Sequence, residues 1–222
     1  MNAPAWCQAN IMYLPPHFTE TDPAHVRALI EAHPLGMLVT HGAGGLDANQ
    51  IPFLLQASAG GAMSLVGHVA RANPVWQGGA DGAEVLVVFR GPQAYVSPNW
   101  YPSKPETHRH VPTWNYQVVN MHGRLRVHDD AAYVQSVVAR LTRVHEATTG
   151  DAVPWRIGDA PKDYIDAMVA AIVGIEVEVT RVEGKFKLGQ NREDRDRLGA
   201  AQVLDRKGEE SLADAMRQAG RP

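Results

Sequence analysis

Apolar positions recur along this chain in two rhythms, one near 3.6 residues and one of two, and each predicts its own kind of element. Val26, Leu29 and Ile30 share a helical stripe, with Asp22 as N-cap, Pro23 at the first helical position and Pro34 as the stop. Residues 35–40 read as a short apolar strand. Residues 47–55 read as a second, kinked at Pro52 and therefore at an edge or a bulge, and 63–69 as a third. The turns between them are too short for a parallel crossover, so the three predict an antiparallel meander. Residues 84–89 (EVLVVF) form a buried strand. Over 116–127, Val119, Met121, Leu125 and Val127 point one way and Asn120, His122, Arg124 and Arg126 the other, which predicts a long strand with one polar face.

Two helices follow. The first is capped by Asp129 or Asp130, carries the stripe Tyr133, Val134, Val137, Val138, Leu141 and Val144, and closes at Gly150. The second opens at Pro161 and places Ile165, Met168, Val169 and Ile172 inside. Ile175, Val177 and Val179 alternate with Glu176, Glu178 and Thr180 in a sixth strand, and a charged helical tail follows from Arg192, with Ser211 as a second cap. The pattern predicts a mainly β (α+β) protein of six antiparallel strands with flanking helices. A closed or partly closed barrel would remove the edges of such a sheet. Residues 1–11 read as a flexible extension, 12–204 as the barrel domain and 205–222 as a helical tail.

Composition narrows the functions. The 222 residues can bury a real core, and 45% apolar with 20% charged residues is ordinary for a soluble domain. A formal charge of −3 supplies no basic field for nucleic acid or membrane. The single Cys7 excludes an internal disulfide framework and any multi-cysteine zinc site, which fits a reducing cytoplasm. The head lacks the features of a signal peptide, and no segment has the apolar length of a transmembrane helix.

Residues 91–116 (GPQAYVSPNWYPSKPETHRHVPTWNY) stand apart, with two of the five Trp, three of the six Tyr and five of the fifteen Pro. Such prolines rule out a helix. The rings suit either a long loop packed under its own aromatics or a surface for a planar heteroaromatic group. Within it, Trp114 and Tyr116 could flank a ring while Thr113 and Asn115 bond its edge. His108 and His110 could chelate a metal, but no clear third ligand stands nearby, so no metal site is assigned. At the end of the third strand, Gly67 would let a ligand approach the backbone, Arg71 can fork onto a phosphate, and His68 and Asn73 add donors. The plain alternative is a strand exit with one solvated arginine. Lys185 and Lys187 share one face of an extended segment, as a solvated edge or as an anion site. There is no Walker loop, GxGxxG fingerprint, Gly-x-Ser-x-Gly elbow or HExxH helix, and no set of residues for nucleophilic catalysis.

Taken together, the segments Met12-Tyr13-Leu14-Pro15, Gly67-His68-Val69-Ala70-Arg71-Ala72-Asn73-Pro74 with Trp76, Tyr95-Val96-Ser97-Pro98-Asn99-Trp100-Tyr101, Val111-Pro112-Thr113-Trp114-Asn115-Tyr116, Pro154-Trp155 and Glu183-Gly184-Lys185-Phe186-Lys187-Leu188 resemble the PaiB-type FMN-binding negative transcriptional regulators. The resemblance runs from about residue 12 to about 204. It implies an FMN-binding split β-barrel of the pyridoxamine-phosphate-oxidase-like kind, paired into a homodimer with FMN at the interface. It implies a phosphate pocket at Gly67, His68, Val69, Ala70, Arg71 and Asn73, and a strand with Asn49, Gln50 and Ile51 along the isoalloxazine. Ser97, Trp100, Trp114 and Asn115 would close the site, and Lys185, Lys187 and Gln190 would reach the flavin from the last strand. Two departures stand out. Relatives often carry Ser-His-Leu-Pro where this chain has Asn49-Gln50-Ile51-Pro52, and Gly189 replaces a serine.

Three functions follow as expectations. One is a regulator with FMN as ligand or redox sensor. Another is an FMN-dependent oxidoreductase, in which the cofactor carries the chemistry and no catalytic side chain need be visible. A third is a haem-binding or haem-degrading protein. The tail mixes Arg192, Arg195 and Arg197 with Glu193, Asp194 and Asp196, a poor surface for tracking phosphates, which argues against direct DNA binding.

Overall fold

A computed structural model describes residues 12–58 and 60–219. The expected extension at 1–11, with Cys7, lies outside the described residues except for its boundary with Met12. Strands run β1 (Thr19–Glu20), β2 (Leu35–Gly42), β3 (Gly45–Pro52), β4 (Leu54–Ala57), β5 (Met63–Ala70), β6 (Glu84–Val96), β7 (Thr113–His128) and β8 (Ile172–Lys187). Helices run α1 (Pro23–Ala32), α2 (Lys104–Thr107), α3 (Ala131–Glu146), α4 (Lys162–Ala170), α5 (Asp194–Arg206) and α6 (Glu210–Gln218). The one-turn α2 corrects the expectation that the prolines of 91–116 exclude a helix: Pro105 sits in its first turn, where no N–H is required.

The expected six-stranded split barrel is corrected here. The sheet has eight strands in the open order β3-β2-β6-β7-β8-β5-β4, with β1 beside β8. The end strands β3 and β4 are not hydrogen-bonded neighbours in that order. Pro52 accounts for much of the difference. It has no N–H to donate, and the next amide, Phe53 N, bonds back to the Pro34 carbonyl at 2.9 Å. The predicted second strand therefore splits. β3 pairs antiparallel with β2, and β4 pairs antiparallel with β5, at opposite ends of the strand order. The expected three-strand meander is thus two separate hairpins.

The chain divides into two compact units. The first comprises Met1–His33, Arg90–Val119 and Glu183–Pro222. In it, Asp22 caps α1 by accepting from Ala24 N at 2.8 Å, with Pro23 behind it, as the pattern predicted. β1 lies on β8 with Thr19 opposite Lys185. The buried Ser103 donates its hydroxyl to the buried Asp196 at 2.6 Å, and its amide does the same at 3.0 Å, which ties the proline-rich segment to α5. Buried Arg197 bonds the Met216 and Arg217 carbonyls at the end of α6 and pairs with Asp194 at 2.8 Å. Ser211 lies inside α6 rather than capping it; Glu209 holds that position.

The second unit comprises Pro34–Phe89 and Asn120–Val182. Leu38, Leu65, Val87, Phe89, Met121, Leu125, Ile175 and Val177 are fully buried in it. Asp130 caps α3 by accepting from Tyr133 N, and α3 buries Val134, Val137 and Leu141, the last two against Val66 of β5. The stripe of α4 behaves differently: no residue of α4 is buried, and Met168 is 45% exposed.

Candidate functional site

The candidate residues divide between the two units, and each group has its own geometry. In the second unit, β3 carries Asn49, Gln50 and Ile51, and β5 with its exit carries Gly67, His68, Val69, Ala70, Arg71 and Asn73. The structure brings Asn49 and Asn73 together. Asn73 donates its side-chain amide to the Asn49 oxygen at 2.8 Å and accepts from Val75 N at 2.9 Å, which starts the 3-10 turn at Pro74–Trp76. A cavity of about 450 Å³ opens beside this pair, lined by Leu46, Asp47, Pro74 and the glycines of the β2–β3 turn and of the 77–79 turn. Gln50 is exposed, and Ile51 and Val69 belong to the core. Gly67 is buried for packing rather than for ligand approach. A Cβ there would stand 3.0 Å from the Pro52 carbonyl and 3.2 Å from both Ile51 and Phe53.

His68 is half-buried, and its Nδ1 is enclosed without a hydrogen-bond partner. Burial lowers its pKa, so the ring is held neutral with one nitrogen free to donate or accept. Arg71 is in the opposite condition. Its guanidinium donates to Asp129 at 2.6 and 3.0 Å, to the Ala170 carbonyl at 2.8 Å and to the Ile172 carbonyl at 3.3 Å. Trp76 donates its indole N–H to the Arg71 carbonyl at 3.1 Å, and the guanidinium lies 5.8 Å from the Trp76 ring. The bond to Asp129 raises the Arg71 pKa and lowers that of Asp129. Arg71 can meet a phosphate only by exchanging this partner.

In the first unit, the strand content is larger than the pattern suggested. β6 continues through Gly91 and Pro92 to Val96, and β8 runs on to Lys187, so Lys185 and Lys187 stand two residues apart on one face of a strand. Lys187 donates to the Thr113 hydroxyl and, at 2.8 Å, to the Trp114 carbonyl. Lys185 donates to the Tyr13 carbonyl at 2.8 Å and lies over the Tyr13 and Tyr116 rings at 5.3 and 5.9 Å. Burial lowers the Lys187 pKa first, and the nearby charges of Lys185 and Arg192 lower it further. Three cations therefore converge here, and their described contacts are to neutral groups; Arg192 lies over the Tyr101 ring at 5.4 Å.

Trp114 is 55% exposed and meets Tyr95 edge to face at 6.2 Å, which leaves open aromatic surface beside the lysines. Trp100 lies under Lys207 at 5.8 Å, and Ser97 caps the 3-10 turn Pro98–Trp100 by accepting from Asn99 N. Asn115 is buried and donates to the Met216 sulfur at 3.4 Å. Gln190 folds onto its own turn. It accepts from Leu188 N at 2.8 Å and donates to the Phe186 carbonyl at 2.6 Å. Gly189 sits in that turn at φ +90°, a conformation that disfavours the serine of the relatives. His110 brings its Nε2 to the Ser103 hydroxyl at 3.0 Å, and among the described residues no three metal-ligating side chains gather. Arg192 and Tyr95 were missed by the reading of the sequence. Arg192 stood in the charged tail, and Tyr95 stood only as the start of the segment at 95–101, with no role at the site.

Within the first unit, three cations without a carboxylate partner in the contacts above stand beside the open face of Trp114, an arrangement that suits a ligand with a flat ring and an anionic end. Flavin mononucleotide is a ligand of that class. Residues 12–181 match the family described as "Putative FMN-binding domain". The chain belongs to this family, and its cofactor is FMN. The PaiB-type resemblance is borne out as well. The chain is 28% identical over 193 residues to the "Protease synthase and sporulation protein PAI 2" of Bacillus subtilis, covering 87% of this chain and 89% of that one. An uncharacterized protein of Emericella nidulans is 31% identical over 245 residues, covering 94% of this chain and 98% of the other.

Solved structures share the fold at low identity. The flavocytochrome Anf3 of Azotobacter vinelandii aligns with a TM-score of 0.55 at 12% identity, over 78% of this chain and 70% of that one. The FAD and heme binding protein of Mycobacterium smegmatis aligns at 0.51 and 16% identity, over 77% and 74%.

Proposed function

We propose that this chain is a PaiB-like FMN protein in which the flavin serves as the ligand or redox sensor of a negative transcriptional regulator. The family match over residues 12–181 carries this reading. When bound, FMN supplies one- and two-electron chemistry at its ring. The protein's part is to bind and orient it. In the first unit, Lys187 with Lys185 and Arg192 attracts the phosphate, because their charges meet no carboxylate in the contacts described above, and Trp114 offers its face to a ring. Ser97, Trp100, Asn115 and Gln190 hold the backbone that positions these groups. The second unit offers an anion contact of its own: exposed Gln50 presents an amide, and Arg71 takes a phosphate when Asp129 yields. The active form is a cytoplasmic homodimer, and its regulation is indirect, since the net charge of −3 disfavours a DNA-tracking surface.

Membrane insertion by a helix has no candidate: among the described residues no helix is long and apolar enough to cross a bilayer. The test is to purify the protein, record its flavin spectrum, and assay it with reduced nicotinamide and oxygen. A bound FMN that turns over only stoichiometrically supports a ligand or sensor. Sustained catalytic oxidation of the nicotinamide would replace that reading with an oxidoreductase, and a colourless protein that takes up no FMN would remove both.

A further inference from the structure

The α3–α4 face of the second unit holds a feature that none of the flavin candidates touches. Two adjoining cavities, of about 290 and 460 Å³, both have Trp155 and Ile157 in their linings. The smaller is apolar, lined by Val138, Ile165, Met168 and Val169 with Gln135 and Tyr164 as its polar members. It explains the stripe of α4, which the pattern placed inside and which instead lines an open chamber. Trp155, Tyr164 and Met168 are 43%, 56% and 45% exposed here, a cluster of large apolar side chains rather than a scatter. The larger cavity adds Arg143 and Arg156, neither of which forms an ion pair with a described carboxylate. Glu146 also lines it, with one oxygen accepting from the Trp155 amide at 2.9 Å, and the lining holds two guanidiniums against one carboxylate.

We propose that this double chamber is a binding site for a small aromatic carboxylate. The chemistry is divided as such a ligand requires. A flat apolar body fits against the Trp155 and Tyr164 rings and the aliphatic floor, and an anionic group is drawn to the two guanidiniums that line the adjoining cavity. Concave volumes of this size, mostly apolar with a few polar groups, suit a small molecule better than a protein surface. Arginine rather than lysine at both positions favours a planar, bidentate anion.

The experiment is calorimetric titration of the full-length protein as purified, with 2-naphthoate and its neutral amide, 2-naphthamide, as probes. The expected result is saturable one-to-one binding of the carboxylate, at least about tenfold tighter than the amide. The double variant Arg143→Gln/Arg156→Gln brings the two probes to parity, and Met168→Glu abolishes both. These side chains are exposed, and circular dichroism with flavin content checks that each variant is folded. Equal affinity for the two probes in the unaltered protein overturns the proposal, as does the absence of saturable binding. Self-association of the unaltered protein that Met168→Glu abolishes would also overturn it, because a second copy would then cover the face.

Discussion

Replacing Lys187 by Met removes one positive charge from the Lys185–Lys187–Arg192 group and nearly preserves side-chain length. Two effects follow, and the structure separates them. The first is local: the bonds to the Thr113 hydroxyl and the Trp114 carbonyl vanish, which loosens the start of β7 for any ligand. The second is specific to an anion. A hydrogen bond to a charged group contributes about 1.5–3 kcal/mol. Lys187 is half-buried, so solvent screening puts its share near the lower end, about 1.5 kcal/mol, or roughly tenfold in Kd. Riboflavin has the same ring and ribityl chain as FMN without the phosphate. Fluorescence titration of apoprotein with both flavins should therefore show Lys187→Met losing about tenfold more affinity for FMN than for riboflavin. Thr113→Val keeps the charge but loses its partner, and should shift both flavins equally. An equal loss for both flavins in Lys187→Met would refute the phosphate role and leave Lys187 as a brace for β7.

The same lysine sets a pH dependence. Its pKa is lowered from 10.5 by burial and by its cationic neighbours, so its charge is complete below that lowered value and is lost as pH rises through it. FMN affinity should fall in alkali earlier than an ordinary lysine would allow while riboflavin affinity stays level; a flat FMN profile up to 10.5 would contradict this. Asp129→Asn frees the Arg71 guanidinium and should raise the preference for FMN over riboflavin, a gain that Arg71→Gln cancels; an unchanged preference in both removes Arg71 from the phosphate. Gly123→Ala sets a Cβ 2.4 Å from the Glu178 carbonyl oxygen and 2.6 Å from a Val177 methyl carbon. It should cost about 3 kcal/mol or more in urea unfolding, and a loss below about 0.5 kcal/mol would mean that β7 and β8 do not approach so closely. Ser103→Ala leaves the buried Asp196 without its hydroxyl partner and should cost about 1.5–3 kcal/mol, read as a Tm lower by several degrees, with little change expected if that carboxylate is in truth hydrated.

What could be read from the chain was local. Asp22 with Pro23, and Asp130, announce helix starts through chemistry confined to one turn, and both caps form. The alternation of β7 was equally plain, because Val119, Met121 and Leu125 all point into the core. Pro52 reads as a kink within one strand, whereas it ends β3, and which partner each half takes depends on residues far along the chain. Closure into a barrel was a deduction from the cost of free edges, and strand order is set by pairings of that distant kind. The candidate site divides in the same way. Lys185 and Lys187 show a shared face through their spacing alone. Arg71 does not show its engagement, since Asp129 is 58 positions away and the Ala170 carbonyl 99. The stripe of α4 misled because an apolar face reads the same whether a core covers it or a cavity leaves it open.

The break at Pro52 also bears on how copies of this chain can meet. An open sheet has two rims, and a bare rim invites a neighbouring strand to add to it. Here one rim strand, β4, is only four residues long. The other, β3, carries the charge of Asp47 and ends on a proline that has no N–H to offer. β4 is too short to template a neighbour, and along β3 the charge of Asp47 and the terminal proline weigh against an added strand, so side-chain faces, where shape and charge can choose the partner, are favoured for assembly.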